Sequence, residues 1–310
     1  MSESILSRPF FHNEEAAYEY VESRVWPNGP VCPKCGVIGR AGKLGGTSTR
    51  IGVWKCYECR KPFTVKVGTI FEASHIALRL WLQAIFLIAS SKKGISSNQL
   101  HRTLGITLKS AWFMSHRIRE AMKDVSGGPL GGAGSIVEAD ETLMMPQRGV
   151  AKKNAGQHRT KVLSLVQRDG KTRSFHVANV DGNNLKPIIL ANIAKQSHLM
   201  TDGAMHYRKI GQEFALHEST NHQQKEYAKP SKVAGVSAHS NTVESFFGIL
   251  KRGITGVYHH VSEEHLQRYL DEFDFRFSNR KSLGVDDSAR AERLLKGVVG
   301  KRLTYQTVVQ

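Results

Sequence analysis

Two sets of side chains in this chain, four cysteines and three acids, are arranged as metal ligands would be. Cys32-Pro33-Lys34-Cys35 and Cys56-Tyr57-Glu58-Cys59 are two CxxC pairs separated by twenty residues, which lets four thiolates close on one tetrahedral zinc. All four cysteines lie between residues 32 and 59, whereas a disulfide framework would be spread along the chain. Four sulfur ligands leave no open coordination position, so this zinc is expected to be structural. The second set is acidic: Asp140 in VEADET, Asp202 in TDGAMHY and Glu244 in HSNTVE. Transfer of nucleic-acid strands uses two divalent ions about 4 Å apart, magnesium or manganese, held by carboxylates that converge from separate elements.

Each acid has a placement that suits such a site. Asp140 lies in an apolar strand, where a charge is costly without a partner or a metal. Asp202 follows the apolar run His198 to Thr201 and precedes Gly203, which puts it at a strand end, where clefts in α/β folds open. Glu244 falls at the start of a helix that Ser240 or Asn241 could cap. Each also has a plainer use: a strand-end aspartate forms turns, and a glutamate in a first helical turn suits the helix dipole. Glu138 and Glu141 compete with Asp140. Alternation puts Glu141 on the opposite strand face, and pattern leaves the choice open.

The elements that must position these residues follow from periodicity and breakers. Ser126 to Ser135 (SGGPLGGAGS) has five glycines and a proline in ten residues, and reads as a linker. Ahead of it, residues 1–70 read as a zinc ribbon with a helical lead, its apolar base supplied by Trp54 and Phe63, followed by a strand-like FTVKVGTIF. Residues 71–125 read as a helix-turn-helix region. Ser96 and Ser97 cap a helix through Leu104, Gly105 breaks it, and Thr107 caps a second helix from Leu108 to Met122. Ala111, Met114 or Ser115, Ile118 and Met122 share one face of that helix, leaving Lys109, Ser110, His116, Arg117 and Arg119 for solvent or a groove. Residues 136–310 read as a mixed α/β domain: strands over Ser135 to Leu143, Thr160 to Gln167 and Ser174 to Val180, then a helix over Leu185 to Ala194, a short strand at His198 and a helix over Thr242 to Lys251. In that last helix Asn241, Glu244, Gly248 and Lys251 share a stripe, so the carboxylate and the ammonium are two turns apart. His259 to Arg280 reads as a helix with a Leu266, Tyr269, Leu270, Phe273, Phe277 core stripe.

The 310 residues carry a formal net charge of +17, which favours a polyanionic partner. No apolar run is long enough to span a bilayer, and the acids among the first twenty residues do not suit a signal peptide, so a cytoplasmic protein working on the nucleoid is expected. Lys34, Arg50, Lys55 and Arg60 of the ribbon, Lys109, Arg117 and Arg119 of the second helix, and Lys251, Arg252, Arg276 and Arg280 are the candidate phosphate contacts.

Together these motifs resemble bacterial insertion-sequence transposases of the ISXO2-like kind, which join a zinc ribbon to an RNase H-like DDE domain. The resemblance spans nearly the whole chain and rests on CPKC, CYEC, VEADET, TDGAMHY and HSNTVESFFGILKRGITGVYHH with LQRYLDEFDFRFSNR. It implies that Asp140, Asp202 and Glu244 bind the catalytic ions, that Lys251 contacts DNA near the scissile phosphate, and that Asn241 is a secondary candidate for the third site. The implied fold class is multidomain α/β. The implied reaction is cleavage at the element's terminal repeats followed by strand transfer into target DNA, by a homo-oligomer that pairs two ends. After the first aspartate the chain reads Leu143-Met144-Met145-Pro146, where relatives tend to have an aromatic residue and glycines.

Overall fold

The computed structural model describes residues 4–125, 127–146 and 159–304. The chain divides into two compact units, Met1–Met122 with Val285–Gln310, and Lys123–Gly284.

In the first unit, α1 (Glu14–Val25) starts at Asn13, whose side chain accepts from the Ala16 amide at 2.9 Å. Three short antiparallel strands follow in the order β1 (Ala41–Lys43), β2 (Trp54–Cys56), β3 (Pro62–Phe63). Beneath them Trp26 packs edge-on against Trp54 and Phe63, with ring centroids 6.0 and 5.7 Å apart, which is the expected apolar base with one more aromatic. The strand expected over FTVKVGTIF stops at Phe63. Val65 and Ile70 are still buried, but the backbone turns, and Gly68 sits at φ +75°.

The next helix, α2 (Leu78–Ser90), has alanine at its N-cap, which offers no side-chain acceptor. Its first amides are met from α1: the Glu14 carboxylate accepts from Leu78 at 2.6 Å and Arg79 at 3.1 Å. Then α3 (Ser97–Leu104) and α4 (Leu108–Met122) form the expected helix pair. Ser96 accepts from Gln99, Gly105 closes α3 in the left-handed conformation at φ +64°, and Thr107 accepts from Ser110.

The second unit is built on a five-stranded sheet whose strands, in sequence, are β4 (Ile136–Pro146), β5 (Arg159–Gln167), β6 (Thr172–Val177), β7 (His198–Asp202) and β8 (Leu216–Thr220). Its spatial order is β6-β5-β4-β7-β8, with β4, β5 and β6 antiparallel and β4, β7 and β8 parallel. Between β6 and β7 runs α5 (Gly182–Asn192), and between β7 and β8 runs α6 (Met205–Gly211). A small hairpin, β9 (Lys229–Pro230) with β10 (Ser237–Ala238), leads into α7 (Asn241–Gly253). A π-helical turn (Ile254–Tyr258) joins α7 to α8 (Glu263–Ser278).

Alternation along the strands sorts the helices onto the two faces. Val137, Ala139, Leu163 and Leu165 pack with Leu185 and Ile189 of α5 and Tyr207 and Ile210 of α6. Met144, Val162 and Val166 pack on the other face with Val243, Phe246 and Leu250 of α7 and Leu266 and Phe273 of α8. A fully buried side chain such as Phe246 contributes roughly 1.5–3 kcal/mol, so a handful of them seats α7 on the sheet. The α8 helix is also tied to edge strand β6, because buried Asp274 accepts from the Ser174 amide and hydroxyl at 2.6 Å each.

Two sequence boundaries need correction. The described part of the glycine-rich segment is no free linker. Leu130 is buried and exchanges backbone hydrogen bonds with Asn192 and Ala194, and Gly131, at φ +83°, leaves no room for a Cβ beside Ser197. At the other end, the chain after Gly284 leaves the sheet unit. The last helix, α9 (Asp287–Lys296), packs on α1 and α2 of the first unit, where Arg290 donates to the Ala89 carbonyl at 3.1 Å. The expected 136–310 domain therefore ends near residue 284.

Candidate active site

The central strand β4 carries three acids in four residues, and the pleat divides them. Glu138 and Asp140 point to the α7 face, and Glu141 points to the α6 face. In the parallel pairing of β4 with β7, Glu138 lies opposite Met200, so two residues on Asp140 comes level with Asp202, the last residue of β7. Asp202 accepts from the Ala204 amide at 3.0 Å, and Asp140 accepts from the Glu141 amide at 2.8 Å. Glu244 projects from the first turn of α7, with Ser240 Oγ and His222 Nδ1 each 3.3 Å from its Oε1.

Burial pushes the Asp140 carboxyl up to about 8, reinforced by the negative charges of Glu141, Asp202 and Glu244. Acids far apart in the chain are therefore close enough in the fold to resist one another's ionisation. That excess of negative charge around the buried Asp140 carboxyl, with Glu244 exposed beside it, is the donor chemistry a hard divalent cation needs. Among the described residues no three carboxylates place their oxygens all within 4.8 Å. A pair of cations about 4 Å apart draws on ligands spread more widely than a single ion would.

The sign of the Asp140 shift gives a stability test. The fold holds this proton more tightly than the unfolded chain, so stability is present at low pH and is lost as pH rises from 3.8 through about 8. With the cysteine metal retained and no magnesium or manganese added, stability is expected to decline over that range by at most about 1.4 kcal/mol per pH unit. Asp140→Asn should flatten this decline in thermal melts. An unchanged slope would mean that the repulsion is not felt.

Sequence reasoning missed the partners of these acids. Glu141 receives a hydrogen bond from the buried Tyr207 hydroxyl at 2.5 Å and stands 3.4 Å from His206 Nε2. Both come from TDGAMHY, whose short α6 directly after β7 could have suggested that its side chains face the neighbouring strand. Glu138 is fully buried and accepts from the first amides of α7, so one rival to Asp140 is occupied as a helix cap. Asn241 is exposed in the same first turn as Glu244.

The basic candidates separate by burial. Lys251 and Arg252 are exposed in the last turn of α7, and Lys109 is exposed in the first turn of α4. Lys34, Arg50, Lys55 and Arg60 are exposed on the ribbon. Four arginines are corrected. Arg117 is buried, donates to the Glu72 carbonyl at 2.6 Å and lies 5.5 Å from the Trp81 and Phe113 rings. Arg119 is buried and donates to Ser115. Arg276 is buried against Glu272 and the Phe273 ring. Arg280 donates to the carbonyls of Arg168 and Phe277 at 2.5 and 2.9 Å, which ties the end of α8 to the β5–β6 turn. A helix wheel assigns such residues to solvent because it cannot see what packs on the second face.

In the first unit the four cysteine sulfurs lie within 4.8 Å of one another, with Cys32 and Cys59, and Cys35 and Cys56, 3.6 Å apart. Zinc–sulfur bonds of about 2.3 Å in a tetrahedron place sulfurs at nearly that separation. Cys32 and Cys56 are buried against Phe63 and Cys35 is exposed, as in a closed knuckle pair.

Residues 129–278 match the model of the ISXO2-like transposase domain, and residues 12–62 match that of the transposase zinc-ribbon domain. The chain is also 26% identical over 285 residues to an uncharacterized protein in transposable element ISH50 of Halobacterium salinarum, which covers 86% of this chain and 91% of that one. No helix among the described residues is long and apolar enough to cross a membrane.

Proposed function

Since the chain belongs to the ISXO2-like transposases, with the family's zinc ribbon ahead of its transposase domain, we propose that it cuts DNA at the ends of an insertion element and joins the freed ends to target DNA. The observation that carries this reading is the coupling of Asp140 to Asp202 and Glu244, three acids from two parallel strands and a helix. These three would hold two magnesium or manganese ions, which supply activation of the attacking oxygen and stabilisation of the leaving oxygen. Water attacks the phosphate at the element end in the first step. In the second, the released 3′-hydroxyl attacks a target phosphate, and one P–O bond forms as another breaks.

The protein's part is placement. Asp140 within β4 and Asp202 at the end of β7 each accept from a backbone amide, and Glu244 is held by the seating of α7 on the sheet. Lys251, two turns along α7 from Glu244, would hold a phosphate beside the scissile bond, and Arg252 a neighbouring one. Asn241 stays a secondary candidate for the third site. Lys109 and the exposed ribbon residues Lys34, Arg50, Lys55 and Arg60 would bind the terminal repeat through its phosphates, with α3 and α4 acting as a helix-turn-helix. Since two ends must be paired, the working form is a homo-oligomer. It acts on chromosomal DNA in the cytoplasm.

A labelled terminal-repeat duplex incubated with the protein, target DNA and magnesium tests this reading. Strand-transfer products are expected. Retarded DNA with no product would instead identify a regulator that only binds, and cutting without joining a stand-alone nuclease.

A further inference from the structure

The N-terminus of α7 is capped from outside its own sequence. Ser240, at the N-cap, makes no capping bond with its side chain, and its hydroxyl faces Glu244 instead. The capping acceptor is Glu138 of β4, fully buried, whose Oε2 accepts from the Thr242 and Val243 amides at 2.8 and 3.0 Å and whose Oε1 accepts from Thr242 Oγ1 at 2.9 Å. Arg168, on the turn between β5 and β6, donates Nε to the same Oε1 at 2.7 Å. Its two terminal nitrogens donate to the Ser237 and His239 carbonyls at 2.9 and 3.1 Å, so the chain entering α7 is held by the same guanidinium. His239 Nδ1 lies 3.3 Å from Glu138 Oε1 as well.

Stability alone does not account for this arrangement. A serine or aspartate at the N-cap satisfies a first turn locally. Burying a carboxylate and a guanidinium costs desolvation that their attraction only about repays. What the buried pair adds is register. Glu138 and Asp140 are two residues apart on the same face of β4, roughly 7 Å along the strand, and the capped amides are one and two residues before Glu244. The cap therefore sets where the Glu244 turn sits along the strand that carries Asp140.

We propose that Glu138, with Arg168, is a positioning residue of the metal site: it never touches metal or DNA, and it holds α7 so that Glu244 meets Asp140 and Asp202. This rests on the reading of those three acids given above.

The full-length protein, zinc retained, carries the test in two variants. Glu138→Gln keeps shape but gives up one of the two acceptor oxygens that α7 and Arg168 share. Thr242→Val removes only the hydroxyl bond. Three quantities are read: exchange of the first-turn amides of α7 by hydrogen-exchange mass spectrometry, the manganese concentration for half-maximal cleavage of a terminal-repeat duplex, and binding of that duplex without divalent ions. For Glu138→Gln, exchange is expected to speed up about tenfold and the manganese midpoint to rise about 10- to 100-fold, as for other outer partners of metal ligands, with DNA binding unchanged. Thr242→Val should move both in the same direction by roughly threefold, in keeping with one lost hydrogen bond.

Faster exchange with an unmoved manganese midpoint would make Glu138 a structural cap only and overturn the proposal, as would unchanged exchange. Should Glu138→Gln fail to fold, Thr242→Val decides by the same criteria. A wild-type protein that cleaves without divalent ions would bring down the reading of the three acids and this proposal together. A metal-dependent wild type with unshifted variants would bring down this one alone.

Discussion

Asp202→Asn is expected to lower strand cleavage and strand transfer by about a thousandfold or more, equivalent to some 4 kcal/mol of transition-state stabilisation, while folding and DNA binding stay near wild type. The substitution is nearly isosteric. Its amide oxygen can still accept from the Ala204 amide, so the turn after β7 is kept. What it loses is the negative charge that a hard cation needs as a ligand. Removing one of several repelling acids should also bring the Asp140 carboxyl down from about 8, so the variant should be no less stable at neutral pH. Single-turnover cleavage of a labelled end, with a melting curve and a gel-shift titration on the same preparation, measures all three. Cleavage at the wild-type rate would remove Asp202 from the site.

The second large effect belongs to the cysteines. Cys56→Ser is expected to abolish zinc retention and unfold the ribbon, because structural zinc supplies about 10–16 kcal/mol in small modules of this kind. The apolar base here is small: Cys32, Cys56 and Phe63 with Trp26 and Trp54 around them, on strands of two or three residues. Without metal such a base does not offset the entropy of ordering the chain around it. Zinc content by metal analysis should fall from one per chain to none, and amides of residues 31–63 should lose protection from exchange. The sheet unit should keep its protection, since its core is made by other residues. A ribbon that stays protected after losing its metal would contradict the structural role of zinc.

Much of this protein was legible in its residues because the signals are local. Two CxxC pairs separated by twenty residues, with no cysteine elsewhere, point to four sulfur ligands on one metal. Ser96, Gly105 and Thr107 mark the ends of α3 and α4, since a cap hydroxyl and a left-handed glycine act within three residues of themselves. The strands β4 to β7 follow from alternation and turn residues. Alternation also separated Glu141 from Asp140, and the fold keeps them on opposite faces.

What failed were readings that needed to know a neighbour. Arg117, Arg119 and Arg276 stand on the polar side of helices with one clear apolar face, yet a second packing surface buries them. The glycine run around Leu130 looked like a linker because glycine favours no regular element by itself. Its backbone pairs with the end of α5, some sixty residues away, and Gly131 is required by close approach to Ser197. The return of α9 to the first unit has no local signature either, because a helix sequence shows which face is apolar and not which core it will join.

Residue type and short-range spacing set the elements, the sulfur ligands and the roster of acids. The surroundings of each acid come from packing between distant elements. Asp140 feels the charges of Asp202 and Glu244, Glu141 accepts from Tyr207, and Glu138 accepts from the first amides of α7. The same device occurs in the first unit, where Glu14 of α1 caps α2. A helix amide donates to whichever acceptor the packing brings to it, and packing joins residues as far apart as Glu138 and Thr242 that share no pattern in the chain.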